Sequence, residues 1–204
     1  MRLEIPIPQA VRIAGLGGQG NILAARILAE ALMKQGYWVA QSQSFGAQVR
    51  GGTSYADVLY CNRPIDYPVA ELFDVLYCMH GSVVSIFLQR LAKNGVLLID
   101  SDQVTRVPRT VNHITKKIVS VPMTKIAHEK VGDARYANMV GLGALVKSTG
   151  IVRKEFLLEA IEKNIPGQYV EANKKAVEEG YKAVEKTYRL RREERYGFLG
   201  RGFE

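Results

Sequence analysis

Residues 13–24 read IAGLGGQGNILA, setting Gly15, Gly17 and Gly20 in the spacing G-x-G-x-x-G, with Gly18 beside the second glycine. The β-rich run AVRIA precedes the glycines, and ILAARILAEALMKQG follows them with apolar residues at helical spacing until Gly36. Strand, glycine turn and helix in this order let the backbone approach a phosphate, while the helix N-terminus offers free N–H groups and partial positive charge. A tight strand-to-helix junction uses the same turn without any ligand. The spacing alone therefore leaves both uses open.

The rest of the chain extends the alternation. YWVAQSQ reads as a second strand, TSYADVLYC as a third and the nearly continuous apolar DVLYCM as a fourth. A helix from about Val83 to Lys93 is expected to lead through Asn94 and Gly95 into VLLID, the fifth strand. IVSVPMTKIAHE adds a strand before Pro122 and a helix after it. Strands separated by helices predict an α/β, Rossmann-like three-layer fold with a mostly parallel sheet and helices on both faces. From Ala134 the pattern is helical, through ANMVGLGALVKSTG, KEFLLEAIEKN and a run from about Tyr169 to Tyr188. At 204 residues the length suits one domain, expected over 1–190, with 191–204 as a basic tail.

The net charge of +8 suits an acidic partner or a phosphorylated ligand. Part of that charge lies in the C-terminal KTYRLRREERYGFLGRGFE, and no nucleic-acid-binding motif accompanies it, so no nucleic-acid partner is expected. Two cysteines, Cys61 and Cys78, are too few for a disulfide framework, a redox pair or a four-cysteine metal site. No metal site is expected in this chain. No apolar stretch reaches membrane-spanning length and no secretory leader opens the chain, which predicts a cytoplasmic protein.

A nicotinamide or flavin enzyme needs an acidic residue at the end of the second strand, about 20 residues beyond the glycines, to hold the ribose hydroxyls. Here Gln41, Ser42, Gln43 and Ser44 fill that place, and no carboxylate occurs between Glu30 and Asp57. A second glycine loop follows instead. SQSFGAQVRGGTSYADV clusters Ser44, Arg50, Gly51, Gly52 and Thr53 between two strands, and Arg50 supplies a forked cation for a carboxylate or phosphate. In a parallel sheet this loop reaches the edge that carries the first turn. A solvated, ligand-free loop is the plainer alternative.

His80 ends the fourth strand, where a ligand-facing residue can sit, whereas His113 and His128 lie in polar surroundings. Asp100 closes the fifth strand and is expected to cap the next turn. No residue is assigned a catalytic role.

GLGGQG, SxSFGAQVRGGTS and ANMVGLGAL, followed by a helix ending in ANKKAVEEGY, together resemble the gamma subunit of the 2-oxoacid:ferredoxin oxidoreductases over residues 11–182. The likeness is greatest to the 2-oxoglutarate type, with the pyruvate, branched-chain and indolepyruvate types as alternatives. The resemblance implies an enzyme that oxidatively decarboxylates a 2-oxo acid to an acyl-CoA and passes electrons to ferredoxin. This chain would be one subunit of it, inactive alone, with alpha, beta and ferredoxin-like partners. Thiamine diphosphate, Mg2+ and iron–sulfur clusters are then expected on those partners, since this chain has neither the cysteines nor a thiamine diphosphate signature.

A shared coenzyme A site is implied here, formed by Gly17, Gly18, Gln19 and Gly20 with Ser44, Arg50, Gly51, Gly52 and Thr53; the family pattern adds Asn138. Coenzyme A is anionic at its pyrophosphate and 3′-phosphate, which suits a helix N-terminus and an arginine. A homodimer of the isolated chain and a mixed assembly with two copies are both compatible with the sequence. A stand-alone nucleotide-dependent oxidoreductase and a ligand-free structural module are the remaining alternatives.

Overall fold

A computed structural model of the chain describes residues 8–45 and 51–190. Six strands form one sheet in the order β2-β3-β1-β4-β5-β6. They are β1 (Gln9–Leu16), β2 (Trp38–Phe45), β3 (Thr53–Cys61), β4 (Phe73–Cys78), β5 (Leu91–Asp100) and β6 (Lys117–Val121). β1, β4, β5 and β6 are parallel. β3 is antiparallel to both β1 and β2, so β2 runs in the direction of β1 and β3 alone opposes the rest. The mostly parallel α/β architecture expected from the sequence is present.

The connection between β2 and β3 differs from the expectation of parallel neighbours. It is a hairpin, because the seven residues 46–52 are too few for a crossover, which takes a dozen or more. The loop still reaches the carboxyl edge of β1, since β2 ends and β3 begins there.

The parallel strands alternate between two cores. Val75 and Tyr77 of β4 and Val96 and Leu98 of β5 face one core, which also holds α1 (Asn21–Lys34). The helical half, with α5 (Ala137–Thr149), α6 (Lys154–Asn164) and α7 (Gly167–Lys182), packs on that face. Leu76, Cys78, Leu97 and Ile99 face the other core, under α2 (Gly81–Phe87), a 3₁₀ turn Leu88–Arg90 and α3 (Val111–Ile114). Continuous apolar strands are what burial on both faces requires. Burial in the apolar interior also pushes the Cys78 thiol far above its ordinary range.

Two boundaries move relative to the sequence reading. The helix expected over about Val83 to Lys93 spans Gly81–Phe87 plus the 3₁₀ turn, and Asn94 and Gly95 lie inside β5. They form an irregularity there: Phe73 pairs with Leu91, but Val75 pairs with Val96, and Asn94 takes φ 61°. The last helix covers Gly167–Lys182, so it stops short of Tyr188. Beyond Pro122 the expected helix is the short α4 (Met123–Ile126) continued by a π-turn at Ala127–Val131.

α5 and α7 meet closely. A Cβ at Gly143 would overlap the carbonyl of Val177, and one at Gly180 would overlap the carbonyl of Val140. These two glycines let the helix backbones touch. Among the described residues, no helix is long and apolar enough to cross a membrane.

Candidate functional site

α1 returns from β1 on one face of the sheet and α2 leaves β4 on the other, so the winding reverses between β1 and β4. A crevice outside the carboxyl ends of those two strands is where ligands of such sheets bind. The glycine turn stands at this point. Gly18 at φ +99° and Gly20 at φ +76° turn the chain from β1 into α1, conformations that favour glycine. α1 then opens with no side-chain cap and no acidic residue in its first turn. Its first N–H groups are of the kind that hold an anion.

The turn is braced from behind by three amides. Gln19 accepts a bond from the Leu16 N–H at Oε1 (2.7 Å) and donates from Nε2 to the Met79 carbonyl (3.4 Å). Asn138, at the start of α5, donates from Nδ2 to the Gly20 carbonyl (3.0 Å) and accepts the Met139 N–H at Oδ1 (2.9 Å). Asn21 donates to the Ser54 carbonyl (2.7 Å), which ties α1 to β3. The side chains of Gln19 and Asn138 are thus committed to holding the loop, and the turn's backbone is what remains for a ligand.

The second loop joins the first directly. The Gly17 N–H donates to the Gly52 carbonyl at 2.8 Å. Gly51 takes φ +78° and is exposed, and Thr53 opens β3 opposite Leu16. Ser44 goes elsewhere: it pairs with Tyr55 and lines a cleft of about 430 Å³ over the sheet face opposite α1. Arg50 lies outside the described residues. The structure therefore brings together Gly17, Gly18, Gln19, Gly20, Gly51, Gly52, Thr53 and Asn138, and sets Ser44 apart.

His80 stands just past the carboxyl end of β4, the strand beside β1. Its Nδ1 accepts the Ser82 N–H (3.2 Å) and so caps α2. Asp100 does cap: its carboxylate accepts from the N–H groups of Asp102 (3.1 Å) and Met123 (3.0 Å) and from Thr124 Oγ1 (2.6 Å). Burial, the largest influence, pushes its carboxyl above the ordinary range, and those hydrogen bonds oppose the shift. His113 and His128 are exposed.

A buried ion pair lies under the Ser44 cleft and was not anticipated from the sequence. Arg12 donates from Nε and Nη2 to the two oxygens of Asp57, both at 2.7 Å. The guanidinium carbon sits 4.0 Å from the Tyr55 ring centre, 4.2 Å from that of Phe73 and 4.7 Å from that of Phe87. The available signal was one charge inside each of the apolar strands AVRIA and TSYADVLYC.

The domain is doubly wound, with an uncapped glycine turn at the switch point locked to a second glycine loop, the place where sheets of this architecture carry their ligand crevice. Comparison with known proteins makes this specific. A family model described as "Pyruvate ferredoxin/flavodoxin oxidoreductase" matches residues 10–183. The 2-oxoglutarate synthase subunit KorC of Methanothermobacter thermautotrophicus is 35% identical over 183 residues, covering 88% of this chain and 97% of that protein. The gamma subunit of a keto/oxoacid ferredoxin oxidoreductase from Geobacter sulfurreducens superposes with a TM-score of 0.77 at 35% identity, over 86% of this chain and 95% of that one. The 2-oxoglutarate:ferredoxin oxidoreductase of Magnetococcus marinus, solved with 2-oxoglutarate, coenzyme A and succinyl-CoA bound, shares the fold at a TM-score of 0.76 and 22% identity, over 90% of this chain and 32% of that one.

The chain belongs to the pyruvate ferredoxin/flavodoxin oxidoreductase family and is a gamma-type subunit of a 2-oxoacid:ferredoxin oxidoreductase.

Proposed function

We propose that this subunit serves a 2-oxoglutarate:ferredoxin oxidoreductase and that its two glycine loops form its share of the coenzyme A site. The 2-oxoglutarate assignment rests on the KorC relative. The coenzyme A assignment rests above all on the Gly17 N–H to Gly52 carbonyl bond, which makes one surface of two loops at the switch point. That surface offers the first N–H groups of α1 to a pyrophosphate, and the second loop carries Arg50 for a further phosphate. The end of β2 presents Gln43 and Ser44, with no carboxylate to hold ribose hydroxyls, which disfavours a stand-alone nicotinamide enzyme.

Thiamine diphosphate, Mg2+ and the iron–sulfur clusters are assigned to alpha, beta and ferredoxin-like partners in a cytoplasmic complex, which delivers electrons to ferredoxin. Of the two cysteines in this chain, Cys78 is fully buried in an apolar core, so no thiolate set for a cluster can be assembled here.

The test compares Gly18→Asp with Gly18→Asn in the assembled complex. Gly18 is exposed, and a Cβ there meets nothing within 4 Å. Both variants carry the same backbone strain, so they differ in one charge. Gly18→Asp is expected to raise KM for coenzyme A on the order of tenfold over Gly18→Asn, with KM for 2-oxoglutarate unchanged. Equal coenzyme A constants for the two variants would remove the site from this edge. Ferredoxin reduction driven by pyruvate in preference to 2-oxoglutarate would remove the substrate assignment.

A further inference from the structure

Among the described residues, β2 is an edge of the sheet with none of the usual protection. It pairs with β3 in unbroken register over all eight residues, from Trp38 opposite Cys61 to Phe45 opposite Ser54. Its sequence, WVAQSQSF, has no charge and no proline. Natural sheets blunt such edges with short strands, lysines, prolines, bulges or a covering element, because unpaired N–H and C=O groups are a template for another strand. The opposite edge follows that rule: β6 has five residues and carries Lys117, whose Nζ donates to the Arg189 carbonyl at 3.1 Å.

We propose that β2 is a self-pairing edge, through which two copies of this chain join antiparallel about a two-fold axis centred on Gln41. A chain of net charge +8 repels its own copies wherever charges face, and β2 brings none to the contact. A two-fold axis normal to the sheet keeps each face on its own side, so facing residues share parity. Gln41 then faces Gln41, Ala40 faces Ser42, and Trp38 faces Ser44.

The last pair matches two features the lone chain leaves uncovered. Trp38 is 58% exposed and lies on the same sheet face as Ser42 and Ser44. That face carries the cleft of about 430 Å³ whose rim includes the exposed Val69 and Ile86. Trp38 of each copy stands at the mouth of the cleft of the other. The contact is isologous and closes at two copies.

The experiment uses the full chain with Cys61→Ser, which leaves only the buried Cys78, and adds Gln41→Cys. Facing residues of an antiparallel pair have Cα atoms roughly 4.5–5.5 Å apart, within reach of a disulfide. Light scattering is expected to give twice the chain mass for the unmodified protein. Mild oxidation of Gln41→Cys is expected to give a double-mass band that reductant reverses, while Gln89→Cys, also exposed but away from the edge, gives none. Gln41→Lys and, independently, Ser44→Lys are expected to return the protein to single mass with an unchanged far-ultraviolet dichroism spectrum. A single-mass unmodified chain, or cross-linking no faster at Gln41→Cys than at Gln89→Cys, overturns the proposal. So does a single-mass chain in which Gln41→Lys blocks only assembly with the other subunits, an outcome that assigns the edge to one of them.

Discussion

The two halves of the sheet are held together by different means. β4, β5 and β6 run parallel, and β4 and β5 lie between two apolar cores. The β2–β3 hairpin has α1 on one side and, on the other, a cleft whose floor is the Arg12–Asp57 pair. In the covered half, stability is spread over many interchangeable apolar contacts. The open half adds to its apolar contacts with α1 one polar contact that cannot be substituted piecemeal, because each partner is buried and charged: the side chains are 7% and 9% exposed.

Asp57→Ala breaks that comparison most severely. It leaves the Arg12 guanidinium buried among three aromatic rings without its carboxylate, and the expected loss is about 3–5 kcal/mol in urea unfolding. The double variant Arg12→Leu with Asp57→Leu is expected to recover most of the loss, because a well-packed apolar pair needs no charge compensation. A double variant as unstable as Asp57→Ala would show that the site needs the ion pair itself.

The covered half answers to packing. Gly180→Ala forces a methyl group into the Val140 carbonyl, a backbone atom that cannot swing away, so α5 and α7 must separate. Overpacking of this kind costs about 1–3 kcal/mol. Gly36→Ala supplies a contrast, since a Cβ there meets nothing within 4 Å and the change acts through its positive φ alone. Equal losses at both positions would make backbone conformation, rather than the helix contact, the cause.

The same division explains what could be read from the sequence. FDVLYC and VLLID announce buried parallel strands because both of their faces are apolar, and the glycine turn is legible because its spacing is local. The hairpin was open to inference from loop length, yet the expectation of uniform crossovers hid it. The bond from Asn138 to the Gly20 carbonyl spans 118 residues and the Arg12–Asp57 pair spans 45, distances over which no spacing rule operates. The candidate site was thus visible as a backbone shape, with Gln19 and Asn138 named for it, whereas the bonds by which those side chains hold the loop became visible only in the folded chain. Arg50, the residue that the family pattern and the charge argument both single out, stands outside the described residues, so its part in the site rests on the sequence.

The smallest expected effect concerns Asp100, a charge placed in the otherwise apolar half. Burial raises its carboxyl above the ordinary range despite the bonds from Thr124, Asp102 and Met123. Between the unfolded value, about 3.9, and the raised folded one, the folded state holds more protons than the unfolded. Stability contributed by this group therefore rises as pH falls through the folded pKa and is complete below the unfolded one. Asp100→Asn removes the titration while keeping a side chain of the same shape. The urea midpoint of the unmodified protein is expected to gain on that of Asp100→Asn as pH is lowered from neutral to about 4. A gap that moves the other way, with the unmodified protein losing ground as pH falls, would mean that the three hydrogen bonds, and not desolvation, govern this carboxylate, and that a charge can sit in the covered half as comfortably as Arg12 and Asp57 sit in the open one.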